Sequence, residues 1–87
     1  MTTIPDHPAL ARMFRMQWEE TQNNYVLLYP EGMVKLNQSA AEILKRCDGR
    51  HSVPDLVGEL EATFGVTGLQ DQVDDFLHAA LERGWLG

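Results

Sequence analysis

One short turn constrains the fold of this chain more than any other feature. Pro30, Glu31 and Gly32 separate two apolar runs, residues 25–29 and 33–36. Proline after the first turn residue suits a type I turn, and a left-handed glycine at its end is typical of a hairpin with a bulge. The pattern therefore predicts two antiparallel strands joined by a tight turn, with a bulge at Gly32.

Another strand is predicted before this hairpin. Between residues 12 and 20, Phe14, Met16 and Trp18 alternate with polar side chains. Alternation of this kind is typical of a strand with one buried face. The polar residues 21–24 that follow would connect it to the hairpin.

The two strands of the hairpin differ in their patterns. Residues 25–29 are apolar at every position, so we expect them to form the central strand. In the last strand, Val34 and Leu36 would share the inner face, with Met33 and Lys35 on the other.

Helical patterns occupy the rest of the chain. Asn37 is a suitable N-cap for a helix over residues 38–47, and Ser52 for a second over 53–64. The third, over residues 69–83, has an apolar stripe of Val73, Phe76, Leu77, Ala80 and Leu81.

Three strands followed by three helices predict an α+β, winged-helix-like domain, in which a three-stranded antiparallel meander packs on the helices. With 87 residues the chain is expected to form one domain. We assign residues 12–87 to it and expect residues 1–11, which contain Pro5 and Pro8, to be a flexible lead-in. A monomer and a strand-exchanged dimer both remain open, because the connector 21–24 would suit a hinge.

The charge pattern argues against nucleic acid as a partner. The chain has a net charge of −6, and residues 69–83 carry four acidic side chains against Arg83 alone. Nucleic-acid binding depends on clustered cations. A small winged-helix DNA-binding regulator therefore stays only as the alternative from a different functional class.

Neither catalysis nor metal binding has a suitable set of residues. Cys47 is the single cysteine and falls on an apolar helical stripe, and Gly49 interrupts the helix between it and His51. We expect no catalytic residue, metal site or cofactor. We expect a cytoplasmic protein, because one cysteine forms no internal disulfide and no export signal is recognisable. No apolar run is long enough to span a membrane.

The last strand, residues 33–36, is the remaining candidate for function. It would lie at a sheet edge, and Lys35 is its only charged residue. Free backbone groups at such an edge accept an extended peptide as an added strand. A short edge strand is equally compatible with a purely structural role. The residues alone leave both interpretations open.

Several segments together resemble the coenzyme PQQ synthesis protein D family. They are LLYPEGMVKLNQSAAEIL, CDG at residues 47–49, SVPDLVGEL and VDDFLHAALERGWL. Their order also agrees with the family, and the likeness runs from about residue 12 to the C-terminus. Each motif is weak alone, but the PEG turn, the LNxxAxxIL segment and the CDG stop form a specific combination.

The resemblance implies a non-catalytic peptide chaperone in the biosynthesis of pyrroloquinoline quinone (PQQ). Such a recognition element binds the leader of a ribosomally made precursor peptide and presents it to a radical SAM enzyme. The same element serving another ribosomal-peptide maturation pathway stays open. In related domains the leader adds as a strand beside the third strand and lies against the last helix, which implies a peptide site at Met33, Val34, Lys35, Leu36, Val73, Leu77 and Leu81.

Overall fold

The structure is a computed structural model that describes residues 3–87. The lead-in prediction for residues 1 and 2 lies outside the described residues. In chain order the elements are β1 Arg15–Glu19, β2 Asn24–Tyr29, β3 Gly32–Lys35, α1 Gln38–Lys45, α2 Val53–Phe64 and α3 Gln70–Glu82. The sheet has the order β1-β2-β3, with both pairs antiparallel. The predicted meander followed by three helices is confirmed.

The hairpin between β2 and β3 is tighter than predicted. Tyr29 pairs with Gly32 and Leu28 with Met33, so the register continues without an offset. A bulge would place two residues of one strand opposite one of the other. The predicted bulge is therefore wrong, and the loop consists of two residues at positions 30 and 31.

Strand β1 is shorter than its alternating pattern predicted. The Phe14 N–H donates to the Ala11 carbonyl at 3.0 Å, and this turn delays the strand until Arg15. Trp18 is 46% exposed, although the alternation placed it on the buried face. It lies on an edge strand and packs edge-on against the Tyr25 ring, with centroids 5.1 Å apart.

Capping residues set the helix ends much as predicted. The side chains of Asn37 and Ser52 each accept a hydrogen bond from a backbone N–H three residues later. Gly65 ends α2 in the left-handed conformation, with a φ of 66°. Helix α1 ends at Lys45, two residues early, yet Cys47 remains buried. Among the described residues, no helix is long and apolar enough to cross a bilayer.

The core lies between the inner face of the sheet and the three helices. Its fully or almost fully buried leucines come from every layer: Leu27, Leu36, Leu44, Leu56, Leu60 and Leu77. Burying each such side chain contributes about 1.5–3 kcal/mol. Trp85 and Leu86 also join this cluster, so the C-terminal segment folds back on the core.

The described part of the lead-in, residues 3–11, is bound to the domain, which differs from the flexible segment that its prolines suggested. Pro8 is fully buried, and its carbonyl accepts the Gly49 N–H at 3.0 Å. The Ala11 N–H donates to the Trp85 carbonyl at 2.8 Å. The loop after α1 and the C-terminal segment both offer backbone groups outside regular structure, and the lead-in pairs with them.

Candidate functional site

The backbone of β3 has one side free. Leu36 donates its N–H to the Tyr25 carbonyl at 3.0 Å, and the register places these residues opposite each other. Hydrogen-bonded and non-bonded pairs alternate along an antiparallel ladder, so Val34 also faces β2. The N–H and C=O groups of Met33 and Lys35 therefore point away from β2, towards the open edge of the sheet.

The side chains of β3 follow the predicted faces. Leu36 is buried and Val34 packs against the core. Met33 is 48% exposed, and Lys35 is exposed as well. The two residues whose backbone groups are free thus also place their side chains on the outer face of the sheet.

An apolar cavity of about 200 Å³ opens among the three helices. Its rim includes Phe64 and Val66, which are 40% and 45% exposed. Because a cavity of about 150 Å³ holds a benzene ring, this volume is sufficient for one large apolar side chain. The lining residues are Ser39, Ile43, Leu60, Phe64, Val66, Leu69, Gln72 and Val73.

The chain runs from β3 into α1, which supplies part of the cavity wall. The first wall residue, Ser39, follows Lys35 by four positions. A second hollow, of about 330 Å³, involves the β1 side chain Trp18 and the opposite side of α1 through Ala41 and Lys45. Helix α1 therefore separates the two hollows.

Glu61 holds the loop that forms one wall of the cavity. Its carboxylate accepts the Leu69 N–H at 3.1 Å, and its backbone carbonyl accepts the Val66 N–H at 3.0 Å. Gly65 and Gly68 have φ values of 66° and 77°, which let the chain reverse within a few residues. The loop side chains are thereby fixed relative to α2.

The α3 residues of the expected site have different environments. Val73 lines the cavity, whereas Leu77 is fully buried in the core cluster. Leu81 is half-buried and also packs against the core. Val73 is also buried, but it lines the cavity, so a ligand in the cavity could contact it. A ligand would reach Leu77 only if the core opened.

The sequence interpretation missed the rim of the cavity. Phe64 and Val66 flank Gly65, and Gly68 follows them closely. Phe64 is the last residue of α2 and Val66 lies beyond it, so neither side chain stands within a continuous helical stripe. That pattern was the available signal for an exposed apolar wall.

A charged cluster joins α1 to α2, away from the cavity. His51 Nδ1 lies 3.0 Å from Asp48 Oδ1, and Nε2 lies 2.6 Å from Glu59 Oε2. The hydrogen bond with Asp48, followed by that with Glu59, raises the pKa of His51. Arg46 extends the cluster to Glu59 at 3.1 Å. Because carboxylates occupy both ring nitrogens, His51 has no free nitrogen for a substrate proton.

Cys47 is not an activated nucleophile. Burial, assisted by the charge of Asp48, raises the pKa of its thiol to about 12. The thiol is therefore protonated at neutral pH, and only the thiolate is strongly nucleophilic. Within residues 3–87, no three His, Cys, Asp or Glu side chains form a group suited to a metal ion.

Comparison with known sequences identifies related proteins. Residues 24–86 match the sequence profile described as "Coenzyme PQQ synthesis protein D (PqqD)". A protein of Azotobacter vinelandii named "PqqA binding protein" is 51% identical over 86 residues, covering 98% of this chain and 94% of its own. One of the same name from Methylococcus capsulatus is 47% identical over 77 residues, covering 88% and 83%.

A solved structure has the same fold. It is the solution NMR structure of the PqqD truncation of Methylobacterium extorquens PqqCD, described as a functional, stand-alone recognition element for ribosomally synthesised, post-translationally modified peptides. The TM-score is 0.73 at 29% sequence identity, with 100% of this chain and 95% of the other covered. The agreement therefore extends from sequence motifs to the arrangement of the whole domain.

Proposed function

Because the chain belongs to the coenzyme PQQ synthesis protein D family, we propose that it is a peptide-binding chaperone of PQQ biosynthesis. Its ligand is the leader of the precursor peptide PqqA, after which the relatives from two bacteria are named. The observation that carries this proposal is the free edge of β3, where Met33 and Lys35 offer unpaired backbone groups.

The peptide adds to this edge as a fourth strand. Two residues with free N–H and C=O groups provide up to four backbone hydrogen bonds, each contributing about 0.5–1.5 kcal/mol. Such bonds give affinity with little sequence preference, and side-chain pockets supply selection. Guest side chains on the inner face lie beside Val34, and the cavity that Val73 lines offers space for an apolar side chain of the peptide.

The chain binds and does not catalyse. Its thiol is protonated and buried at Cys47, and both nitrogens of His51 are occupied. We propose that it presents the bound leader, without a cofactor of its own, to the radical SAM enzyme of the pathway in the cytoplasm. Delivery by a carrier raises the local peptide concentration towards roughly the millimolar range.

Charge and homology disfavour the two alternatives. Helix α3 carries four acidic residues and neither lysine nor arginine between Gln70 and Glu82, which would repel a phosphate backbone. The shared name of the relatives favours PqqA over the precursor of another pathway.

A proline at Lys35 tests the proposed edge. Lys35→Pro removes an N–H that points to the guest, while the bonds between β2 and β3 stay intact. We expect about tenfold weaker binding of synthetic PqqA than for Lys35→Ala, in line with the loss of one backbone hydrogen bond. Isothermal titration calorimetry measures both affinities.

The comparison with Lys35→Ala separates the backbone from the side chain, since both variants lack the ammonium group. Val34→Pro is the complementary variant, because the N–H of Val34 faces β2 and not the guest. It removes a donor used inside the hairpin and should lower the melting temperature. Equal PqqA affinities for Lys35→Pro and Lys35→Ala would show that the peptide does not pair with this edge.

A further inference from the structure

The outer face of the sheet is turned away from the core that the helices form. Cross-strand pairing places Gln17, Val26 and Lys35 in one row, and Arg15, Leu28 and Met33 in the next. The core cluster contains inner-face residues from all three strands and none of these six. Val26 at the centre of this face is fully buried, whereas Met33 and Lys35 at its edge are exposed. A guest strand on β3 would therefore place its outward side chains beside Lys35 and Met33.

This face has a different charge from the rest of the molecule. The chain carries a net charge of −6, but the outer face has Arg15 and Lys35 against one acid, Glu19. Glu19 accepts a hydrogen bond from Gln17 at 2.8 Å. Every ion pair in the described part of the chain lies between residues 42 and 59, so Lys35 has no carboxylate partner there.

The geometry of strand addition determines what meets Lys35. Because its N–H and C=O are free, Lys35 would form a hydrogen-bonded pair with one residue of the guest. The Cα atoms of these two residues would be about 5.5 Å apart. The guest side chain at that position points to the same outer face. A guest residue two positions away lies beside Met33, which is 48% exposed.

On this basis we infer that Lys35 and Met33 select the register of the bound peptide. The guest segment has an aspartate or glutamate opposite Lys35 and an apolar residue two positions away, opposite Met33. This inference rests on the proposed function, since it requires a guest strand on β3. An isolated lysine on an edge strand discourages pairing with strands that offer it no opposite charge. A peptide with a carboxylate opposite Lys35 avoids this penalty, so the edge favours that peptide over others.

A charge-reversal experiment tests the inference. We expect Lys35→Glu to weaken the binding of synthetic PqqA about fivefold, because it replaces an attractive cross-strand pair with a repulsive one. Arg15→Glu makes the same charge change on the same face, but on β1, which is two strands further from the guest than β3. It should weaken binding less than about twofold, since exposed charges at that separation are screened.

Peptides in which each Asp or Glu is changed singly to Lys then identify the partner. One of them should restore the affinity of Lys35→Glu to near the wild-type value and leave Arg15→Glu unchanged. Wild-type affinity in Lys35→Glu, equal losses in both protein variants, or no restoring peptide would each overturn the inference. If Lys35→Pro still binds more weakly than Lys35→Ala, strand addition stands and only the charge rule fails.

Discussion

The lead-in and the β3 edge are two places where an extended segment meets free backbone groups of this domain. At the first, the chain's own residues 6–11 supply the segment, and five backbone hydrogen bonds of 2.8–3.2 Å join it to residues 47–53 and 85–87. At the second, Met33 and Lys35 offer comparable groups without a partner among residues 3–87. Both regions therefore use the same backbone chemistry.

Side chains explain why one region is filled and the other is open. The lead-in buries Pro8 completely and packs Ile4 and Leu10 against the core. At β3, by contrast, Met33 and Lys35 are exposed, and the cavity rim residues Phe64 and Val66 are exposed as well. Backbone bonds alone contribute little net affinity, so a lasting attachment also needs buried apolar area. A peptide that binds β3 must bring that area with it.

Removal of the lead-in should have the largest effect on stability. A chain that begins at residue 12 loses the five backbone bonds and exposes Trp85 and Leu86. We expect the free energy of unfolding to fall by about 3–5 kcal/mol, because each bond contributes about 0.5–1.5 kcal/mol and apolar area is exposed as well. Urea denaturation of the full and shortened chains measures the difference.

A control keeps the length of the chain unchanged. Ala11→Pro removes only the N–H that donates to Trp85, so it should cost about 1–3 kcal/mol. If the shortened chain unfolds at the same urea concentration as the full chain, the lead-in is flexible, as its prolines first suggested.

Leu77→Ala should produce the next largest effect on stability. It also tests whether Leu77 belongs to the core or to the peptide site. The side chain is fully buried, so its truncation should lower the free energy of unfolding by about 2–4 kcal/mol. At a temperature where the variant is folded, its affinity for PqqA should fall less than that of Lys35→Pro. A larger loss of affinity than for Lys35→Pro would place Leu77 at the peptide, as the family resemblance implied.

Local signals in the sequence were sufficient to predict most of the fold. Side-chain periodicity distinguished strands from helices, and Asn37, Ser52 and Gly65 fixed helix ends because caps act through neighbouring residues. The bulge at Gly32 and the burial of Trp18 were predicted wrongly. Both depend on pairing with a neighbouring strand, which a local pattern does not specify.

The candidate site was less accessible to sequence reasoning than the fold. The strand 33–36 was identified, but which of its amides are free depends on the register with β2. Helical periodicity placed Val73 and Leu77 on one stripe and did not distinguish a cavity wall from the core. The attachment of the lead-in to the domain was not predicted, because its partners, Gly49 and Trp85, are distant in sequence.

The smallest expected effect is a pH dependence confined to the lead-in side of the molecule. His51 and Asp48 brace the loop in which Gly49 binds Pro8. Because the folded pKa of His51 is raised, its contribution to stability is complete below the unfolded value of about 6.5 and is lost as pH rises through the folded pKa.

Urea midpoints should therefore fall modestly over this pH range in the wild type and less in His51→Gln. Parallel pH profiles for the two proteins would mean that the His51 pair does not stabilise the loop. Lys35→Ala, on the open edge, should retain the wild-type pH profile, since the two extended segments bind to separate parts of the fold.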